Sequence, residues 1–168
     1  METIVNKVAQ SGLITFNLEE FYDKNERVVI DIKDCLFMGL ILKEKDFREF
    51  VKNNDWEQYR GKNVAITCSA DAIVPTWAYM LVASRLSGIA NYYFYGDLSD
   101  LENSLFQKAL SKVEIESFRD KKIVIKGCSN LPVPINAYVE ISRLLIPVAS
   151  SIMYGEPCST VPVYKKKI

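Results

Sequence analysis

Three cysteines sit in one recurring phrase. Cys68-Ser69 is followed by Val74-Pro75, Cys128-Ser129 by Val133-Pro134, and Cys158-Ser159 by Val161-Pro162. Thiolates bind soft metals and attack disulfides and other electrophiles. Three of them in like settings therefore offer metal or iron–sulfur ligation, or thiol chemistry. The chain has no histidine. This removes Ser-His-Asp and Cys-His nucleophile pairs, imidazole acid–base work and mixed Cys/His zinc sites. Any one of these cysteines alone reads first as a small buried residue. Their recurrence favours ligation, ahead of thiol chemistry and packing, although no CxxC spacing sharpens the signal.

The first two phrases belong to longer matching texts. Asn63–Thr67 leads into the first Cys-Ser and Lys122–Gly127 into the second. Each then runs through Val-Pro-x-x-Ala-Tyr (Val74 to Tyr79, Val133 to Tyr138), Ser-Arg-Leu (Ser84 to Leu86, Ser142 to Leu144) and Tyr-Gly (Tyr95-Gly96, Tyr154-Gly155), with matched pairs 58 to 60 residues apart. This pattern predicts an internal duplication of a strand–Cys-loop–helix–strand unit, with copies at about 62–96 and 121–155. Chance similarity of two amphipathic stretches is the alternative, and a shared Cys and Pro argue against it.

Composition sets the outer limits. The 168 residues are 49% hydrophobic and 25% charged, values of one globular domain spanning 1–168. Net charge is zero, so the basic footprint of a nucleic-acid binder is missing. Lys165-Lys166-Lys167 reads as a solvated tail. Met1–Lys7 lacks the apolar core of a signal peptide, and the longest uncharged stretches are too short to span a bilayer. Four cysteines without such a signal point to free or metal-bound thiols in a reducing, cytoplasmic setting. Seven glycines include no GxGxxG or Walker pattern, so nucleotide binding has no support.

The elements that must position the cysteines follow from periodicity. Arg27–Ile32, Asn63–Thr67, Asn91–Tyr95, Ile123–Lys126 and Ser151–Tyr154 read as strands. Helices are expected over Lys45–Asn53, from Pro75 to about Leu86, over Leu98–Val113 and over Pro134–Leu145. Leu13–Phe16 reads as a short strand before a helical turn capped by Asn17, Phe37–Leu42 as β-like, and Val161–Tyr164 as an edge strand tolerating Pro162. The alternation predicts an α/β fold: a mainly parallel sheet with helices on both faces. Ligands of such sheets bind outside the carboxyl ends of the strands, where Cys68, Cys128 and Cys158 are all expected. Two of them precede helix N-termini, which favour thiolate. The following serines are expected to donate hydrogen bonds to sulfur.

Three thiolates leave a fourth metal position. Cys35, Asp71 and Glu156 are the further candidate ligands, although Asp71 also reads as a helix cap and Glu156 as a solvated loop residue. Cysteine-only ligation suits zinc and an iron–sulfur cluster equally.

Cys68 to Pro75, Lys126 to Ser129 with Pro132 to Pro134, and Gly155 to Pro162 resemble an uncharacterised family of Bacteroidetes proteins, domain of unknown function 2480. The likeness covers nearly the whole chain, including Ile41–Arg48. The three motif cysteines match the family pattern; Cys35 lies outside it. The resemblance carries no activity, but it implies a role near sulfur mobilisation and iron–sulfur assembly proteins.

The expectation is a cytoplasmic accessory protein that binds a metal ion or iron–sulfur cluster through Cys68, Cys128 and Cys158, acting in cluster assembly or sulfur trafficking. It needs no nucleic acid and no membrane. The alternatives are a thiol or persulfide enzyme with one reactive cysteine, and a non-catalytic interaction module with structural cysteines.

Overall fold

The computed structural model describes residues 12–127 and 130–167. The fold is mixed α/β, with two mostly parallel sheets and four α-helices among the described residues. The chain divides into two compact units. One is continuous, Lys24–Leu105; the other is split, joining the described parts of Met1–Asp23 and Phe106–Ile168.

In chain order the strands are β1 (Leu13–Asn17), β2 (Arg27–Asp31), β3 (Asn63–Thr67), β4 (Tyr92–Tyr95), β5 (Lys122–Lys126), β6 (Ser151–Glu156) and β7 (Ser159–Lys165). The α-helices are α1 (Glu44–Asn53), α2 (Thr76–Leu86), α3 (Leu98–Leu110) and α4 (Ile135–Leu145). β2, β3 and β4 form the sheet of the continuous unit, all parallel, with β3 central. Val64 and Ile66 of β3 face a core shared with Phe47 and Val51 of α1 and Ala78, Val82 and Leu86 of α2. Ala65, between them, belongs to a separate cluster with Leu101 and Leu105 of α3. Successive strand residues point to opposite faces, so helices cover both faces of this sheet.

The split unit orders its strands β1-β5-β6-β7. β1, β5 and β6 are parallel, and β7 returns antiparallel along β6. Its core gathers Phe16, Leu18, Ile123, Ile125 and Ile152 with Phe106 and Leu110 of α3 and Ile141 and Leu145 of α4. Pro162 lies on the edge strand beside a register irregularity, where its missing N–H costs no ladder bond.

The two units repeat one order of elements. Asn63 and Lys122, Thr76 and Ile135, and Tyr92 and Ser151 open corresponding elements, each pair 59 residues apart. Loop bonds recur at the same spacing: Gly61 N–H donates to the Ile89 carbonyl at 3.0 Å, and Asp120 N–H to the Val148 carbonyl at 2.8 Å. On the amino-terminal side, Asn17 and Asp31 each end a strand and cap a 3-10 turn, accepting from Glu19 N–H and Lys33 N–H respectively. The likeness in element order therefore extends to the amino-terminal side of positions 62 and 121.

One matching phrase serves two exits. Tyr95-Gly96-Asp97 leads into α3, whose first turn is closed reciprocally: Asp100 N–H donates to Asp97 Oδ1 at 2.9 Å and Asp97 N–H to Asp100 Oδ2 at 3.1 Å. Tyr154-Gly155-Glu156 instead continues β6 into the β7 hairpin. Phe37–Leu42, expected to be β-like, is a tight turn. Met38 (φ 53°) and Gly39 (φ 71°) bend it, leaving single bridges from Ile41 to Phe37 and Ile73. No helix among the described residues is long and apolar enough to cross a membrane.

Candidate functional site

β3 places Cys68 at the carboxyl end of the central strand of the continuous unit, immediately before the loop into α2. The thiol is half-buried against that unit's core, and its Sγ lies 3.7 Å from the Ala70 carbonyl. β2 ends beside it, because Asp31 pairs in register with Thr67. The Asp31 carboxylate accepts the Ser69 N–H on Oδ1 at 3.0 Å and the Ser69 hydroxyl on Oδ2 at 2.6 Å. The same Oδ1 also caps the 3-10 turn through Lys33 N–H at 3.0 Å. Ser69 thus spends its hydroxyl on the neighbouring strand's carboxylate, where the sequence led to an expected bond to sulfur. Burial pushes the Asp31 carboxyl up. The Ser69 hydroxyl, the Ser69 and Lys33 amides and the Lys33 charge outweigh it and hold the group below the usual carboxylate range.

Two phenols complete this end of the sheet. Tyr79, one turn into α2, meets Tyr95 at the end of β4 edge-to-face, with ring centroids 5.1 Å apart. Burial raises the Tyr79 phenol first, and Tyr95, Cys68 and Asp31 add to the effect. The split unit repeats the pair: Tyr138 of α4 meets Tyr154 of β6 at 5.9 Å. Tyr79 and Tyr138, and Tyr95 and Tyr154, keep the 59-residue spacing. The cysteines do not.

Counted from the paired strands, position 68 corresponds to Gly127, and Cys128 to Ser69. A Cβ on Gly127 would lie 2.7 Å from the Tyr138 hydroxyl and 3.3 Å from Leu18. In the split unit, a tyrosine hydroxyl therefore closes on the position that the continuous unit gives to a cysteine. Cys128 and Ser129 themselves lie outside the described residues. The loop is held further along: Glu19 Oε1 accepts Asn130 N–H at 2.8 Å and Leu131 N–H at 3.4 Å.

Cys158 occupies the two-residue turn between β6 and β7, opposite no strand residue and exposed. β6 runs on through Glu156, two residues past the end expected at Tyr154, so only Pro157-Cys158 separates it from β7. Glu156 pairs with Lys126 at 3.5 Å, at the matching end of β5. Glu156 is exposed and Lys126 half-buried, and a long contact open to water contributes little. Asp71 is exposed, and α2 begins after Pro75 without a side-chain cap. Cys35 ends the 3-10 turn after β2. Burial, then Asp34 and Asp31, pushes its thiol up to about 11, away from the thiolate a metal would need. Among the described residues no three Cys, Asp or Glu side chains converge on one metal position. Cys68 belongs to the continuous unit and Cys158 to the split one.

The family described as Protein of unknown function (DUF2480) matches residues 2–166. The chain belongs to that family. No curated protein and no solved structure matches the chain. The DUF2480 chain thus carries two sheet ends built alike, each with a capped 3-10 turn, a tyrosine pair and a cysteine-bearing loop. Sequence reasoning missed Asp31 and Glu19, and it read Tyr95 and Tyr154 only as strand residues. The shared Tyr-Gly phrase was the signal for the second pair.

Proposed function

We propose that this protein is a cytoplasmic accessory protein that holds a metal ion or iron–sulfur cluster as cargo through Cys68, Cys128 and Cys158. It would serve cluster assembly or sulfur trafficking beside iron–sulfur assembly proteins. We also infer that its two like units arose by internal duplication. The observation that supports the metal reading is where the thiols stand. Cys68 directly follows the central strand of one sheet, Cys158 sits in the turn after β6, and Cys128 comes two residues after β5 in the sequence. Strand ends of this kind are where open parallel sheets bind ligands. With no histidine in the chain, thiolates are the soft donors it can offer. The described residues do not form a closed site by themselves, so the reading requires Cys128.

Cobalt(II) titration of the reduced, metal-free full-length chain tests it. A thiolate-to-cobalt charge-transfer band that weakens in each of Cys68→Ser, Cys128→Ser and Cys158→Ser is the expected result. A titration without that band, or a band indifferent to all three substitutions, overturns it.

A second reading, a thiol or persulfide enzyme, draws on the half-buried Cys68 with its pinned loop and adjacent phenols. It requires one cysteine to be alkylated far faster than the others.

A further inference from the structure

Loops that leave a β-strand carry backbone N–H groups which the ladder no longer satisfies, and a carboxylate that collects them makes strong, charge-assisted bonds. Both units do this from the same place. The residue ending the neighbouring strand caps a 3-10 turn, and a carboxylate of that short segment reaches across to the cysteine loop. In the continuous unit it is Asp31 itself, taking the Ser69 N–H and hydroxyl. In the split unit the cap is Asn17, which has no negative charge, and Glu19 two residues later takes Asn130 and Leu131 N–H. The longer side chain grips further along the loop. That shift accompanies the one-residue slip that leaves Gly127, not a cysteine, at the position equivalent to 68.

We infer that Asp31 is the positioning residue for Cys68, and that Glu19 serves the loop of Cys128 in the same way. Asp31 holds the Ser69 backbone next to Cys68, and Glu19 holds Asn130 and Leu131, further along the loop that carries Cys128. The inference deepens the metal-binding reading, since a thiol on a fixed loop binds its cargo without first being ordered. It also makes the two cysteine loops answer to different residues.

Alkylation of the reduced, metal-free protein by iodoacetamide reads this, with the rate at each cysteine followed by peptide mass spectrometry. Asp31→Ala should raise the rate at Cys68 relative to Cys158 by roughly tenfold, the effect of losing bonds to a charged acceptor. Asp31→Asn keeps the Oδ1 that receives both N–H groups and should restore most of the wild-type ratio. Glu19→Ala should change the rate at Cys128 relative to Cys68 and leave the ratio of Cys68 to Cys158 alone. A folded Asp31→Ala protein with a ratio within about twofold of wild type overturns the inference, as does an Asp31→Asn protein as perturbed as the alanine variant. If Asp31→Ala does not fold, Asp31→Ser decides: its single hydroxyl can still cap the 3-10 turn but cannot take both Ser69 donors, and a ratio within about twofold of wild type there overturns the inference. Because no metal is present in the assay, a changed ratio in a protein that takes up no metal would sink the functional reading and leave the positioning intact.

Discussion

Replacing Gly155 by alanine is expected to destabilise the protein by about 3 kcal/mol and to disrupt the turn that carries Cys158. Gly155 has φ +118°, a backbone region L side chains rarely adopt, and an added Cβ would stand 2.6 Å from the Ser159 carbonyl oxygen. That oxygen is backbone of the returning strand, so it cannot swing aside. The pairs Gly155↔Thr160 and Glu156↔Ser159 would have to open. Gly88 supplies the control, with φ +77° and nothing within 4 Å of its added Cβ. Alanine there should cost only the conformational term, about 1–2 kcal/mol. Urea unfolding of the two variants measures the difference. Equal losses would mean that the Ser159 contact does not constrain the hairpin.

Phe47→Ala should cost more, about 3–5 kcal/mol. Phe47 is fully buried on α1, edge-on to Trp77 of α2 at 5.9 Å and tilted against Phe50 at the same distance. Removing the ring leaves a cavity between the helices covering that face of β3, the strand that delivers Cys68. Phe47→Leu refills most of the space and should lose less than about 1.5 kcal/mol. Urea midpoints separate the two. A loss below about 1 kcal/mol for the alanine variant would show that this core is not closed around Phe47.

Much of this architecture was readable from local text. Asn63–Thr67 is a β-branched run between polar residues, and the strand has those limits. Pro75 and Pro134 mark the starts of α2 and α4, because a proline is tolerated where the helix needs no N–H. The β-like reading of Phe37–Leu42 failed at Met38, a non-glycine residue with positive φ that only the turn geometry reveals. The division into two sheets was not legible. β1 and β2 are neighbours in sequence, yet β1 pairs with β5, across the whole of the continuous unit. Such pairing depends on long-range burial, which no window of sequence contains.

The site was half legible for the same reason. Repetition picked out the cysteine loops, and the tyrosines of the repeat proved to be packed in pairs. The one-residue slip at the cysteines was visible as a change of spacing, but its consequence was not. Only the strand register shows that Gly127 takes the place of Cys68. Asp31 reads as an ordinary strand-ending carboxylate until β2 and β3 are aligned, which brings it against Ser69.

The central claim is that the cysteines hold a metal or cluster, and composition of the full-length protein purified without oxygen tests it most directly. Iron, zinc and acid-labile sulfide would be measured beside the visible absorption spectrum. The account predicts about one zinc or one cluster per chain, lost when Cys68, Cys128 and Cys158 are all replaced by serine. Protein that carries no zinc, iron or sulfide and takes up none on reconstitution would contradict it, as would a triple-serine variant with undiminished content.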